Sequence, residues 1–152
     1  MRFLRWLIDT ESGKRIEHPA LGEAVYFRAK LGSYWEVETE VNGWPFTLIV
    51  DAENLEEPTE NQIEFFQRFA SAPDLAFDRV SSQLIPAYTD WTKLPFPEVW
   101  QEEISFVGMT VPRSGDERSK YELCFEGPRG KRAAHFACKL VDGRVADVEV
   151  ST

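Results

Sequence analysis

Apolar and polar positions alternate most regularly over residues 24–51. Trp35, Val37, Thr39 and Val41 alternate with Tyr34, Glu36, Glu38 and Glu40, the period of a strand with one buried face. Asn42-Gly43 follows, a dipeptide whose tolerance of positive φ suits a two-residue hairpin turn. That turn pairs Val41 with Trp44, Thr39 with Phe46, Val37 with Leu48 and Trp35 with Val50, and the apolar residues of both strands then share a face. Upstream, Val25, Phe27, Ala29 and Leu31 alternate with Tyr26, Arg28 and Lys30. A three-residue connection over residues 32–34 pairs Leu31 with Trp35 and sets Lys30 against Glu36 and Arg28 against Glu38. The two-residue alternative sets Ala29 against Glu36 and mixes the faces, so the longer connection is predicted.

The period then changes. Pro58-Thr59-Glu60-Asn61-Gln62 opens a helix, with Thr59 as N-cap and Gln62 completing a capping box. Ile63, Phe66 and Phe69 or Ala70 follow its inner face. Pro73-Asp74 breaks it, and a second helix is predicted over about residues 75–87 with Val80 and Leu84 inward. Pro86 is expected to kink or end that helix, because proline lacks the N–H that the helical ladder needs. Residues 91–100 (Trp-Thr-Lys-Leu-Pro-Phe-Pro-Glu-Val-Trp) form an aromatic, proline-punctuated loop.

Strand periodicity returns afterwards. Ile104, Phe106, Gly108 and Thr110 alternate with Ser105, Val107 and Met109, a pattern that fits cover on both faces. Tyr121, Leu123 and Phe125 alternate with Glu122, Cys124 and Glu126, and Phe136, Cys138 and Leu140 with His135, Ala137 and Lys139. In the last strand Ala146, Val148 and Val150 share a face. A two-residue Asp142-Gly143 loop would turn the valines outward. A three-residue loop over residues 141–143 pairs Cys138 with Ala146 and Phe136 with Val148, and is predicted. Strands, two helices, then strands define an α+β domain, residues 1–152 as a single unit. Its expected form is an antiparallel sheet built from N-terminal and C-terminal meanders, with the central helix pair packed on one face.

Composition narrows the function. The 152 residues are 43% hydrophobic, enough for a core without staples. Lys and Arg number 17 against 26 Asp and Glu, a formal net charge of −9, which disfavours nucleic acid as a partner. At the start Arg5 interrupts the apolar run and Asp9 ends it, so neither a signal peptide nor a membrane segment is expected. With two cysteines, Cys124 and Cys138, the reading is a cytoplasmic protein with reduced thiols, Cys138 inward and Cys124 outward.

Candidate chemistry is sparse. The predicted register brings His135 near Glu126 and Lys139 near Glu122, an arrangement that serves either as polar cross-strand pairs or as a base oriented by a carboxylate. His135 and Cys138 point to opposite faces, and no Cys-x-x-Cys or His-Glu-x-x-His occurs, so no metal is expected. No glycine-rich phosphate loop and no Gly-x-Ser-x-Gly is present, and no cofactor is expected. Charge is distributed unevenly. Residues 31–67 contain Glu53, Glu56, Glu57, Glu60 and five other acids after Leu31 without one Lys or Arg, whereas Arg113, Arg118, Lys120, Arg129, Lys131, Arg132, Lys139 and Arg144 gather in the C-terminal third. The acidic stretch reads as a solvated face or as a docking surface for a basic protein. Trp91, Phe96 and Trp100 read as a cap over the core or as a recognition surface.

Phe46-Thr-Leu-Ile-Val50 before an acidic loop, Pro58-Thr-Glu-Asn-Gln62, Leu123-Cys-Phe125 and Val141-Asp-Gly-Arg-Val145 together resemble a family of small bacterial α+β domains of unknown function, some of them candidate immunity proteins in polymorphic-toxin loci. Members often carry a Glu-His-Gly-like turn before the penultimate strand. Arg132-Ala-Ala-His135 stands there without the glycine, and no role is transferred to His135. The resemblance implies a non-enzymatic, cytoplasmic protein-binding domain of the immunity type, with a basic, toxin-like protein partner. Glu53, Glu56, Glu57, Glu60, Trp91, Phe96 and Trp100 are its candidate contacts. The alternatives are a small hydrolase-like enzyme using His135 and Glu126 in a cleft, and a small-ligand-binding module.

Overall fold

The computed structural model describes residues 12–30, 32–130 and 132–152. The expectations that fell on the N-terminal run through Asp9, on Leu31 and on Lys131 lie outside the described residues. The chain is α+β. The strands β1 (Arg15–His18), β2 (Gly22–Ala29), β3 (Gly32–Val41) and β4 (Trp44–Ala52) precede the helices α1 (Glu60–Ala70) and α2 (Pro73–Thr92). A 3₁₀ turn at Trp100–Glu102 leads into β5 (Ser105–Val111), β6 (Tyr121–Gly127), β7 (Ala134–Val141) and β8 (Arg144–Ser151). All eight strands form one sheet in chain order. Neighbours are antiparallel except β4 and β5, which run parallel with α1 and α2 as the crossover between them.

The β3–β4 hairpin has the predicted register, from Val41 opposite Trp44 to Trp35 opposite Val50. Asn42 and Gly43 both take positive φ, 53° and 80°, as a two-residue turn of this hand demands. The β2–β3 register differs from the prediction. Trp35 pairs with Tyr26, Val25 with Glu36 and Ala29 with Gly32. The expectation took Val25, Phe27 and Ala29 for the inner face. Ala24 and Tyr26 are the residues without exposed surface there, and Phe27 meets Tyr34 across the other face at 5.6 Å. Both faces of this hairpin carry apolar side chains, so keeping the faces clean does not select its register.

One hydrophobic cluster joins the helices to a single face of the sheet. Phe65 and Phe69 of α1 meet Tyr121 of β6, Phe66 meets Phe46 of β4, and Tyr88 of α2 meets Phe136 of β7. Thr59 and Gln62 form the predicted capping box. The buried residues of α1 are Gln62, Phe65 and Phe69, while Ile63, Phe66 and Ala70 flank them, so the inner face is turned from the predicted one. α2 runs 20 residues, well beyond the predicted end, and Pro86 lies inside it. Pro86 is exposed, whereas Ala76, Val80, Leu84 and Tyr88 make an unbroken buried stripe at spacing four. Burying one such large side chain contributes about 1.5–3 kcal/mol, which offsets much of the ~3 kcal/mol that an interior proline costs.

Two bulges set the C-terminal strands. In β5 the register shifts between Phe106 and Gly108, so Phe106 and Met109, an odd number of residues apart, face Phe125 and Leu123 on the same side. In the β7–β8 hairpin the loop is Asp142-Gly143 with positive φ at both residues, not the predicted three-residue loop. The register shift between Lys139 and Leu140 then realigns the strand, so Cys138 pairs with Val148 and Phe136 with Val150. Val145, Val148 and Val150 pack on the core and Ala146 is exposed.

Glu117 fastens the β5–β6 loop to both helices. Arg79 holds its carboxylate through Nε at 2.8 Å, Arg68 lies at 3.2 Å, and the Tyr121 hydroxyl donates at 3.2 Å. The Arg79 hydrogen bond, more than the opposing burial, holds the Glu117 carboxyl below its ordinary 4.5. A depressed folded pKa means the stabilisation is complete above that ordinary value and is lost as pH falls through the lower one. Replacing Glu117→Gln is expected to cost about 1–3 kcal/mol near neutral pH, since charged hydrogen bonds are lost. Thermal melts should show the gap to wild type narrowing as pH falls below 4.5. A gap that stays constant down to about pH 3 would contradict the linkage.

Candidate functional site

The helix-free face of the sheet holds a cleft of about 800 Å³. Its floor comes from β4 and β5, with Pro45, Thr47, Ile49, Val107 and Gly108. Glu36 and Glu38 of β3 stand on one side, and Glu122, Cys124 and Glu126 of β6 on the other. The segment from Gly127 to Gly130 and the ring of Trp44 close one end. The strand alternation that sends Trp35, Val37, Leu48, Leu123 and Phe125 into the core sends these residues into the cleft. Their burial is uneven: Glu36 is 5% and Ile49 8% exposed, while Glu38 and Glu126 reach solvent.

Gly108 makes room at the floor, since a Cβ there would lie 3.0 Å from the Thr47 carbonyl oxygen. Gly127 is more constrained. A Cβ on it would fall 2.7 Å from the Glu103 carbonyl oxygen and 2.8 Å from Ile104. At the rim, Arg129 lies over the Trp44 ring, its guanidinium carbon 4.3 Å from the centroid, and donates to the carbonyls of Gln101 and Glu102. Ser105 is 7% exposed and lines the same end. Among the described residues its hydroxyl has no hydrogen-bond partner.

The predicted His135–Glu126 pair forms, with Nδ1 3.2 Å from the carboxylate. This hydrogen bond is the main cause holding the Glu126 carboxyl below its ordinary range. Lys139 stands opposite Glu122 in the register but bonds Glu149 on β8 at 3.0 Å. Both cysteines are free, Cys138 buried and Cys124 partly exposed. Burial pushes the Cys138 thiol up to about 12 and raises Cys124 strongly, with the Glu122 carboxylate adding to both. An activated thiol needs the opposite shift, so Cys124 beside His135 does not have the character of a nucleophile. Ser105 lacks a base at its hydroxyl, the second element a serine nucleophile requires. Among the described residues no three His, Cys, Asp or Glu side chains cluster to hold a metal ion. No helix among them is long and apolar enough to cross a membrane.

The acidic and aromatic candidates lie elsewhere. Glu53, Glu56 and Glu57 sit in the β4–α1 loop and Glu60 in the first turn of α1, none of them lining the cleft. Glu53 pairs with Arg113 at 2.8 Å, and the Glu56 carbonyl accepts the Trp35 indole N–H at 2.8 Å. Trp100 is 7% exposed, stacks on Phe77 at 5.0 Å and donates its indole N–H to Asp74. Phe96 stacks on the same Phe77 at 5.7 Å. Trp91 is the exposed member of the three, at 51%. Sequence reasoning missed the cleft, although the β3–β4 register carried a signal. It sets Ile49 opposite Glu36, an apolar residue on what reads as a solvent face.

Comparison of the chain with protein-family models, curated proteins and solved structures found no match.

Two outcomes test this geometry. Native protein treated with an alkylating reagent at mildly alkaline pH should leave Cys138 unmodified and label Cys124 at least about tenfold more slowly than a free thiol. Both should react after unfolding, as peptide mass mapping will show. Gly127→Ala should destabilise by about 1–3 kcal/mol in denaturant titration, because the added methyl meets backbone that cannot step aside. A neutral effect would mean the rim is looser than these distances imply.

Proposed function

We propose that this chain is a cytoplasmic, non-enzymatic protein-binding domain of the immunity type and that its partner docks in the cleft on the helix-free face. The observation that carries this reading is the cleft: about 800 Å³, with an apolar floor between carboxylate-bearing strands. Such mixed lining, apolar with a few placed polar groups, is what binding sites share. The raised thiols and the unassisted Ser105 hydroxyl speak against covalent catalysis, which weighs against the hydrolase-like alternative. The net charge of −9 and the exposed Glu56 and Glu57 favour a basic protein partner, drawn in by long-range attraction before the cleft is engaged.

The test uses the product of the gene adjacent to this one in its host, purified and titrated against this chain by surface plasmon resonance. Replacing Glu53, Glu56 and Glu57 by Gln should slow association at low salt and leave dissociation unchanged, as expected for steering charges. Filling the cleft with Gly108→Leu should speed dissociation. If the neighbour fails to bind and fails to be neutralised in co-expression, the immunity reading falls. If it binds with kinetics unaltered by the cleft substitution, docking occurs elsewhere, first at Trp91.

A further inference from the structure

We infer that Asn42 is a site of spontaneous deamidation, left open to that chemistry by a fold that clasps its other turn of the same shape. The reaction needs only water. The Gly43 backbone nitrogen attacks Cγ of Asn42, and the new C–N bond closes a cyclic succinimide. The Cγ–Nδ2 bond breaks, and ammonia leaves with the Gly43 amide proton. Water then opens the ring at either carbonyl. One opening gives aspartate, and the other gives isoaspartate, with the backbone routed through the side chain. Both turn residues are exposed. Glycine brings no side chain to crowd the attacking nitrogen, and even a Cβ built on Gly43 would meet nothing within 4 Å.

Conformation alone does not decide the rate. Asn42 and Gly43 take φ of 53° and 80°. A left-handed turn of this kind points the Gly43 nitrogen away from Cγ of Asn42, so ring closure waits on opening of the turn. Asp142-Gly143 makes the same two-residue turn between β7 and β8, with φ of 54° and 74°. There both turn amides are tied to the β5–β6 loop. The Asp142 N–H donates to the Arg118 carbonyl at 3.2 Å and the Gly143 N–H to the Glu117 carbonyl at 3.1 Å. The Glu117 side chain is in turn held by Arg68 and Arg79. Among the described residues the Asn42 and Gly43 N–H groups donate to no such loop. Opening the β7–β8 turn therefore breaks two hydrogen bonds that the β3–β4 turn never makes.

The change falls at the mouth of the cleft. Asn42 lines a small hollow there with Trp44, Gln101 and Arg129. Aspartate adds a negative charge to that hollow. Isoaspartate adds a backbone carbon between Val41 and Trp44, whose pairing rests on a two-residue turn.

The experiment makes the two side chains alike. Asp142→Asn sets Asn-Gly in both turns, a pair that this turn type accepts. The full chain carrying the substitution, its folding checked by thermal melt, is held at mildly alkaline pH in water enriched in oxygen-18. Peptide mass mapping over several weeks then counts the heavy oxygen that each deamidation leaves. Short blocked peptides of each turn give the intrinsic rates. Relative to its own peptide, residue 42 should convert at least about tenfold faster than residue 142, the scale of two clasping hydrogen bonds. In the parent chain heavy oxygen should enter at residue 42 and stay absent at Asp142. Equal conversion of the two turns would overturn the clasp as the protecting device. An Asn42 that keeps its amide in the folded chain while its peptide converts would overturn the site itself. If Asp142→Asn melts abnormally, the parent chain against the two parent peptides decides, because aspartate also passes through the succinimide and takes up heavy oxygen.

Discussion

β4 and β5 lie side by side and parallel, so the chain must travel back along the sheet between them. That return is made by α1 and α2, and Gln62 fixes where it begins. Its side-chain oxygen accepts the Thr59 backbone N–H at 3.0 Å, and its amide donates to the carbonyl of Asp51 at 2.7 Å and that of Pro112 at 3.3 Å. One buried amide thus joins the exit of β4, the first turn of α1 and the exit of β5. With a single crossover, both helices settle on one face, where Phe65, Phe69 and Tyr88 find Tyr121 and Phe136. Among the described residues no helix covers the opposite face. The cleft is a consequence of that asymmetry rather than a separate construction.

How much of this was legible depended on parity. Wherever alternation ran unbroken into a two-residue turn, as from Trp35 to Val50, strand and register could be read directly. The capping box was equally plain, because its two partners are local. Bulges hid the rest. A bulge moves every later side chain to the other face at no cost in composition, so the alternation in β5 fits cover on both faces and that of β7 and β8 favours a longer loop than the one present. The Asp142-Gly143 turn carried the correct signal, and the realignment at Lys139 and Leu140 is invisible to any count of alternating residues. Pro86 misled for a related reason. Local propensity argues for a stop, and the stripe from Ala76 to Tyr88 overrides it through tertiary contact.

The cleft was harder to see than the fold. Its residues occupy the positions that alternation assigns to solvent, and most are polar enough to fit that assignment. Glu36 shows the difficulty: in the sequence it is one of three alternating glutamates, and in the structure it is 5% exposed while its neighbour Glu40 is exposed. What separates them is distance from the sheet centre, since Glu36 pairs with Ile49 and Glu40 with Pro45 at the hairpin end. Residue type reports a face, but not how far that face is enclosed by strands arriving from the other half of the chain.

The aromatic segment acquires a different role once the rim is in place. Trp100 is held between Phe77 and Phe125, at 5.0 and 5.9 Å, and its indole is tied to Asp74. The 3₁₀ turn that it begins presents the carbonyls of Gln101 and Glu102, and these accept from Arg129. Arg129 in turn rests on Trp44 at the mouth of the cleft. The chain of contacts runs from the helix-covered core, around the end of the sheet, to the open face. An aromatic cap that seals the core therefore also fixes the guanidinium that borders the cleft. A guanidinium held by two carbonyls and a ring is fixed in orientation. The core on the far side of the sheet thereby sets where the arginine at the cleft mouth sits.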